Sequence, residues 1–172
     1  MTKQFAATFD GRKAVIGNLE LLVTQETIVE ATSLQNAGEE WFKGKYDKNS
    51  FHWNQFFKRN APGEFGKGLV ITLLKKKYRE PMLTIQDYIT CEGRYSMILA
   101  FHVRLLMVFE GKTLNLPHFL LKSLIKMSKA YQKKLDVNSL FHHGLIQIIL
   151  EHELIKYHIS WAIFLSKIQL TD

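Results

Sequence analysis

Thr84-IQDYITCEGRYSMILAFHVRLLMVF-Glu110 is the stretch whose reading decides the fold. From Tyr95 to Phe109 only Ser96, His102 and Arg104 are polar. Ile98, Phe101, Leu105 and Val108 stand at helical spacing and make one stripe. Leu99, Val103, Leu106 and Met107 cover much of the remaining circumference. A helix apolar nearly all round is buried on several sides. The run falls short of the roughly 20 apolar residues that a bilayer-spanning helix needs. It therefore reads as the central helix of a soluble bundle.

The 172 residues are 47% hydrophobic and 23% charged, with three prolines and ten glycines. This composition suits one globular domain with a sizeable core and excludes a disordered or linker-rich chain. The formal net charge is +7. Its excess is local: Gly111 to Leu135 holds six lysines and no acidic residue. A second cluster is Lys75, Lys76, Lys77 and Arg79. Such a balance suits nucleic acid or an anionic surface, and solubility alone also accounts for it. Cys91 is the single cysteine, which leaves no internal disulfide and points to a reducing compartment, nucleus or cytoplasm. MTKQFAATFDGRK lacks an apolar core of signal-peptide length, so neither secretion nor a membrane partner is expected.

Working outward, residues 3–23 read as a small β meander. Phe5, Ala7 and Phe9 alternate, Asp10-Gly11 supplies a turn, and Gly17-Asn18 separates Ala14–Ile16 from Leu19–Val23. Thr24 or Thr27 caps a short helix that ends at Asn36-Ala37-Gly38. Trp41 and Phe42 read as anchors. Ser50–Arg59 reads as a short amphipathic helix, and Leu69–Tyr78 as a helix ahead of Pro81.

Leu116–Lys134 carries the cleanest period in the chain. Asn115 caps it, with Pro117 in its first turn. Leu120, Leu124, Met127 and Tyr131 recur at i, i+4, i+7 and i+11. Lys122, Lys126, Lys129 and Lys133 repeat that spacing about 160° round the helix. An exposed helix face ordinarily mixes Glu with Lys, and this one does not. Ammonium groups act as point charges, so the row suits phosphates better than base edges. The same pattern is also what a plain solvated face would show. Asp136 or Asn138 caps a further helix to about His158, and Ser160–Leu170 is a last apolar segment.

Catalytic patterns are weak. His142, His143, His152 and His158 lie near Glu151 and Glu153, but the H-E-x-x-H spacing of zinc proteases is missing. No metal or cofactor is expected from these residues. Cys91 could pair with a histidine, yet a lone cysteine in an apolar run is more often a small buried residue. The acidic residues show no convergent set for magnesium, and there is no phosphate-cradling glycine loop. The chain reads as non-enzymatic.

Several stretches carry a family resemblance: FAATFDGRKAVIGNLELLVTQETIVEAT, EEWFK, YITCEGRYSMILAFHVRLLM, LNLPHFLLKSLIKMS and SLFHHGLIQIILEHEL. Together they resemble the plant transposon-encoded domain found in gag-like reading frames of plant retroelements, most specifically through ITCEGRYS and SLFHHGL. The resemblance spans Phe5 to about Trp161 and brings no catalytic residue with it. It implies either a fragment of an element protein or a domain adopted by its host.

The sequence thus predicts a mainly α single domain over 1–172, with a β meander at 3–23 and a helical bundle at 24–172. Its expected role is binding through Lys122, Lys126, Lys129, Lys133, Lys75, Lys76, Lys77 and Arg79. The expected partner is nucleic acid or a second copy of the chain. A host protein adaptor with no nucleic-acid role is the alternative.

Overall fold

The computed structural model describes residues 1–42, 55–58, 69–90, 97–133 and 142–168. It is mainly α-helical with a small two-stranded antiparallel sheet near the N-terminus. In chain order the regular elements are α1 (Thr2–Thr8), β1 (Lys13–Ile16), β2 (Leu19–Leu22), α2 (Gln25–Thr32), β3 (Leu69–Val70), α3 (Arg79–Thr84), β4 (Met97–Ile98), α4 (Ala100–Leu105), α5 (Leu116–Gln132), α6 (His143–Lys156) and α7 (Trp161–Ile168). Where the sequence reading takes 1–172 as one domain, the contacts form two compact units. The first joins Met1–Asn36 to Asn115–Asp172, and the second is Ala37–Leu114.

In the first unit, residues 2–8 are helical rather than extended, which corrects the meander at its first strand. An alternation of only five residues also fits one helical turn. Phe5 and Phe9 lie one turn apart and stack with ring centroids 4.9 Å apart. The orphan carbonyls at the end of α1 find a donor far along the chain. Gln132 Nε2 donates to Ala6 O, Ala7 O and Phe9 O at 3.1, 3.2 and 3.0 Å.

The rest of the expected β element forms as read. Asp10 Oδ1 accepts from the Arg12 and Lys13 amides, both at 2.8 Å, and these bonds hold its carboxyl below the ordinary range. β1 and β2 pair in the register Lys13↔Leu22 to Ile16↔Leu19 across Gly17-Asn18. The Thr8 hydroxyl accepts from Val15 N and donates to Val15 O, both at 2.9 Å, which occupies the open edge of β1. Thr24 caps α2 by accepting from Thr27 N. The helix stops earlier than expected, at Ser33, whose φ of 58° lies in the left-handed region. Phe5, Ile16, Leu21, Ile28, Leu124, Met127, Ile149 and Leu154 are among its buried core residues.

The second unit departs further from expectation. Leu69–Tyr78 is not a helix. Leu69 and Val70 form β3 and pair with Ile98 and Met97 of β4, and short 3-10 turns follow at Ile71–Leu73 and Lys76–Tyr78. The β-branched Val70 suits the extended backbone of β3, which gives way to 3-10 geometry at Ile71. Arg79 donates to Thr72 O at 2.9 Å and Leu74 O at 3.3 Å, taking up carbonyls that a helix would have used. Phe57 bridges Leu74, so Phe56–Lys58 run beside Leu73–Lys75 and not as part of a helix.

The central run is helical over a shorter span than expected. A π-helical turn fills Ile85–Thr90, β4 takes Met97–Ile98, and helix resumes at Ala100. Gly111, at φ 79°, ends the following 3-10 turn. Cys91 lies outside the described residues. Ile98, Val103, Leu105 and Leu106 are buried, while Phe101, Met107 and Val108 are half-buried. His102 is buried too. Its Nδ1 accepts from Leu99 N at 3.1 Å, and its Nε2 sits 3.1 Å from the Thr90 hydroxyl.

Candidate functional site

The candidate site is the outer face of α5. Asn115 Oδ1 accepts from His118 N at 3.0 Å, so the expected cap starts the helix. Seventeen residues follow, with Pro117 in the first turn where its missing N–H costs nothing. Leu120, Leu124 and Met127 are buried and Tyr131 is half-buried. Ser123 and Ser128 are buried beside them. Lys122, Lys126, Lys129 and Lys133 are all exposed. Among the described residues, none forms an ion pair with Lys122, Lys129 or Lys133.

Charge in the first unit is segregated. It has ten Lys and Arg against eight Asp and Glu, and five of the ten fall between Lys122 and Lys134. The remainder of the unit is net negative. The lysine face is therefore a local positive stripe rather than a sample of a uniformly basic surface.

The second basic cluster lies in the other unit and is partly committed to its structure. Lys77 Nζ is 3.2 Å from Glu110 Oε1 and 4.5 Å from the centre of the Tyr78 ring. Tyr78 and the Glu110 carboxylate hold the Lys77 ammonium above its ordinary value. The Tyr78 hydroxyl, with Lys77, holds Glu110 below the ordinary carboxylate range. Arg79 is spent on backbone carbonyls, as described above. Lys76 is exposed and Lys75 half-buried.

The histidines are held singly. His142, at φ 63°, precedes α6 and places Nε2 2.8 Å from Ser123 Oγ, both groups being buried. His143 Nδ1 is 2.7 Å from Thr2 Oγ1, and His152 Nε2 is 3.3 Å from Glu30. Among the described residues, no three His, Cys, Asp or Glu converge as a metal site. Asp136 and Asn138, the expected caps of α6, lie outside the described residues.

Two features escaped the sequence reading. Gln132 ties α1 to α5, and nothing in its local context signals that. Arg104, the one cation in the apolar run, pairs with Glu39 and stacks 4.6 Å from the Trp41 ring. It borders an open cleft of about 460 Å³ lined also by Met107 and Gly111–Leu114. Since Glu39 already pairs this guanidinium, the α5 face is the stronger candidate for an anionic ligand.

Fold and site together define a mainly helical protein that displays a basic helix face. Comparison with protein-family models, curated proteins and solved structures finds no match to the chain. No helix among the described residues is long and apolar enough to cross a membrane.

Proposed function

We propose that the protein is a non-enzymatic, transposon-derived binding module of the cell interior that contacts nucleic-acid phosphates through α5. The observation that carries this reading is the row itself. Four lysines are exposed on one face, no acidic residue stands among them, and the opposite face is anchored in a core. The cost of holding four like charges together is offset when a polyanion covers them. The resemblance of ITCEGRYS and SLFHHGL to plant transposon-encoded sequence supports the origin. The test is a binding titration of the wild-type chain against nucleic acid at several salt concentrations. Phosphate contacts make the affinity fall linearly on a log–log salt plot. Binding with no salt dependence would count against the reading.

A protein-binding role, including self-association, is the second reading, and a different observation favours it. Ile148, Ile155, Tyr157, Trp161 and Ile163 are exposed large hydrophobic residues at 38% or more, carried by α6, its C-cap and the start of α7. Capture of a host protein that survives nuclease treatment would move this reading ahead.

A further inference from the structure

We infer that the α5 row grips duplex nucleic acid by its backbone alone, in preference to single strands and without regard to sequence. This rests on the phosphate-binding reading above and names its ligand. The first argument is line charge. Lys122 to Lys133 spans about 16.5 Å at 1.5 Å per residue. A duplex carries one charge per roughly 1.7 Å of axis, so roughly ten phosphates lie along that length, about twice the number on one strand. A straight, rigid row of ammoniums gains most from the polyanion of highest line charge.

The second argument is what the face lacks. Single-strand binders add aromatic side chains on which bases stack. Here Phe119 is buried, Tyr131 is half-buried on the other side of the helix, and His118, one turn before Lys122, is half-buried and is the one aromatic ring on the lysine side of α5. The side chains whose planar groups read base edges through paired hydrogen bonds are Arg, Asn and Gln, whereas lysine, which can also reach guanine, does so as a compact point charge without a fixed fork. None of those three stands in the row. Gln132 is turned to the carbonyls of α1. Lysines contacting phosphates fix position and carry no sequence information.

The experiment titrates the full chain against a mixed-sequence DNA duplex, a shuffled duplex and oligo-dT of equal length, over a salt series. The same is done for a variant combining Lys122→Glu, Lys126→Glu, Lys129→Glu and Lys133→Glu, its helicity checked by circular dichroism. A Lys→Gln version of the four substitutions replaces it should the Glu variant misfold. With four contacts, duplex affinity should fall roughly 150-fold from 50 to 200 mM salt, and oligo-dT affinity roughly 50-fold. The duplexes should bind alike, oligo-dT more weakly, and the variant should lose most affinity for all three. Lysine-dependent binding in which oligo-dT equals or exceeds the duplex would overturn this inference while leaving the phosphate reading standing. Unequal duplexes would overturn the indifference to sequence. A variant that binds the duplex like the wild type would overturn both.

Discussion

Gly38→Ala tests how the second unit is closed. At Gly38 the backbone has φ 104°, a left-handed conformation that L side chains rarely adopt. An added Cβ would stand 2.7 Å from both C and O of Thr113 and 3.0 Å from C of Leu114. These are backbone atoms and cannot swing aside like the tip of a long side chain. The same place carries the parallel bridge of Glu39 to Leu114, with Glu39 N donating to Thr113 O at 3.2 Å. Positive φ alone costs a non-glycine residue roughly 1–2 kcal/mol. Relieving the contact also sacrifices the bridge, at about 1 kcal/mol for a hydrogen bond. The expected loss is about 2–3 kcal/mol. Urea unfolding followed by circular dichroism and by tryptophan fluorescence would measure it, since Trp41 lies three residues away. A midpoint that shifts by less than about 0.5 kcal/mol equivalent would refute the close approach of the two segments.

Leu105→Ala removes a side chain that is 1% exposed and should cost about 2–5 kcal/mol in a thermal or denaturant melt. Gln132→Ala strips the donor shared by the carbonyls of Ala6, Ala7 and the C-cap Phe9 and should cost about 0.5–1.5 kcal/mol, whereas its neighbour Lys133→Ala should be close to neutral. The Glu110–Lys77 pair sets a pH window. Glu110 has a lowered folded pKa, so its contribution is full above the unfolded value of about 4.3 and is lost as pH falls through the folded value. Lys77 has a raised one, so its share is full below about 10.4 and is lost as pH rises through the folded value. The melting difference between wild type and Glu110→Gln should therefore be largest near neutrality and shrink in acid. A difference that grows in acid would contradict that sign.

What the sequence determined by itself is what neighbouring residues decide among themselves. The Asn115 cap, the apolar stripe of α5 and the lysine row opposite it follow from a 3.6-residue period sustained over seventeen residues. The Thr24 cap and the β1–β2 hairpin follow from cap and turn chemistry within a few positions. Tertiary structure alone decided the rest, because the deciding partner is remote. Residues 2–8 are helical in a setting where Gln132 supplies donors from more than 120 positions away. Leu69 is a strand because Ile98 pairs with it, and a local window over LVITLLKK contains no trace of that partner. The joining of Met1–Asn36 to Asn115–Asp172 in one unit rests on contacts such as Asn115 Nδ2 to Asn36 Oδ1 at 2.9 Å, 79 positions apart. Local propensities amount to a fraction of a kcal/mol per residue, so a few long-range hydrogen bonds and buried contacts outweigh them.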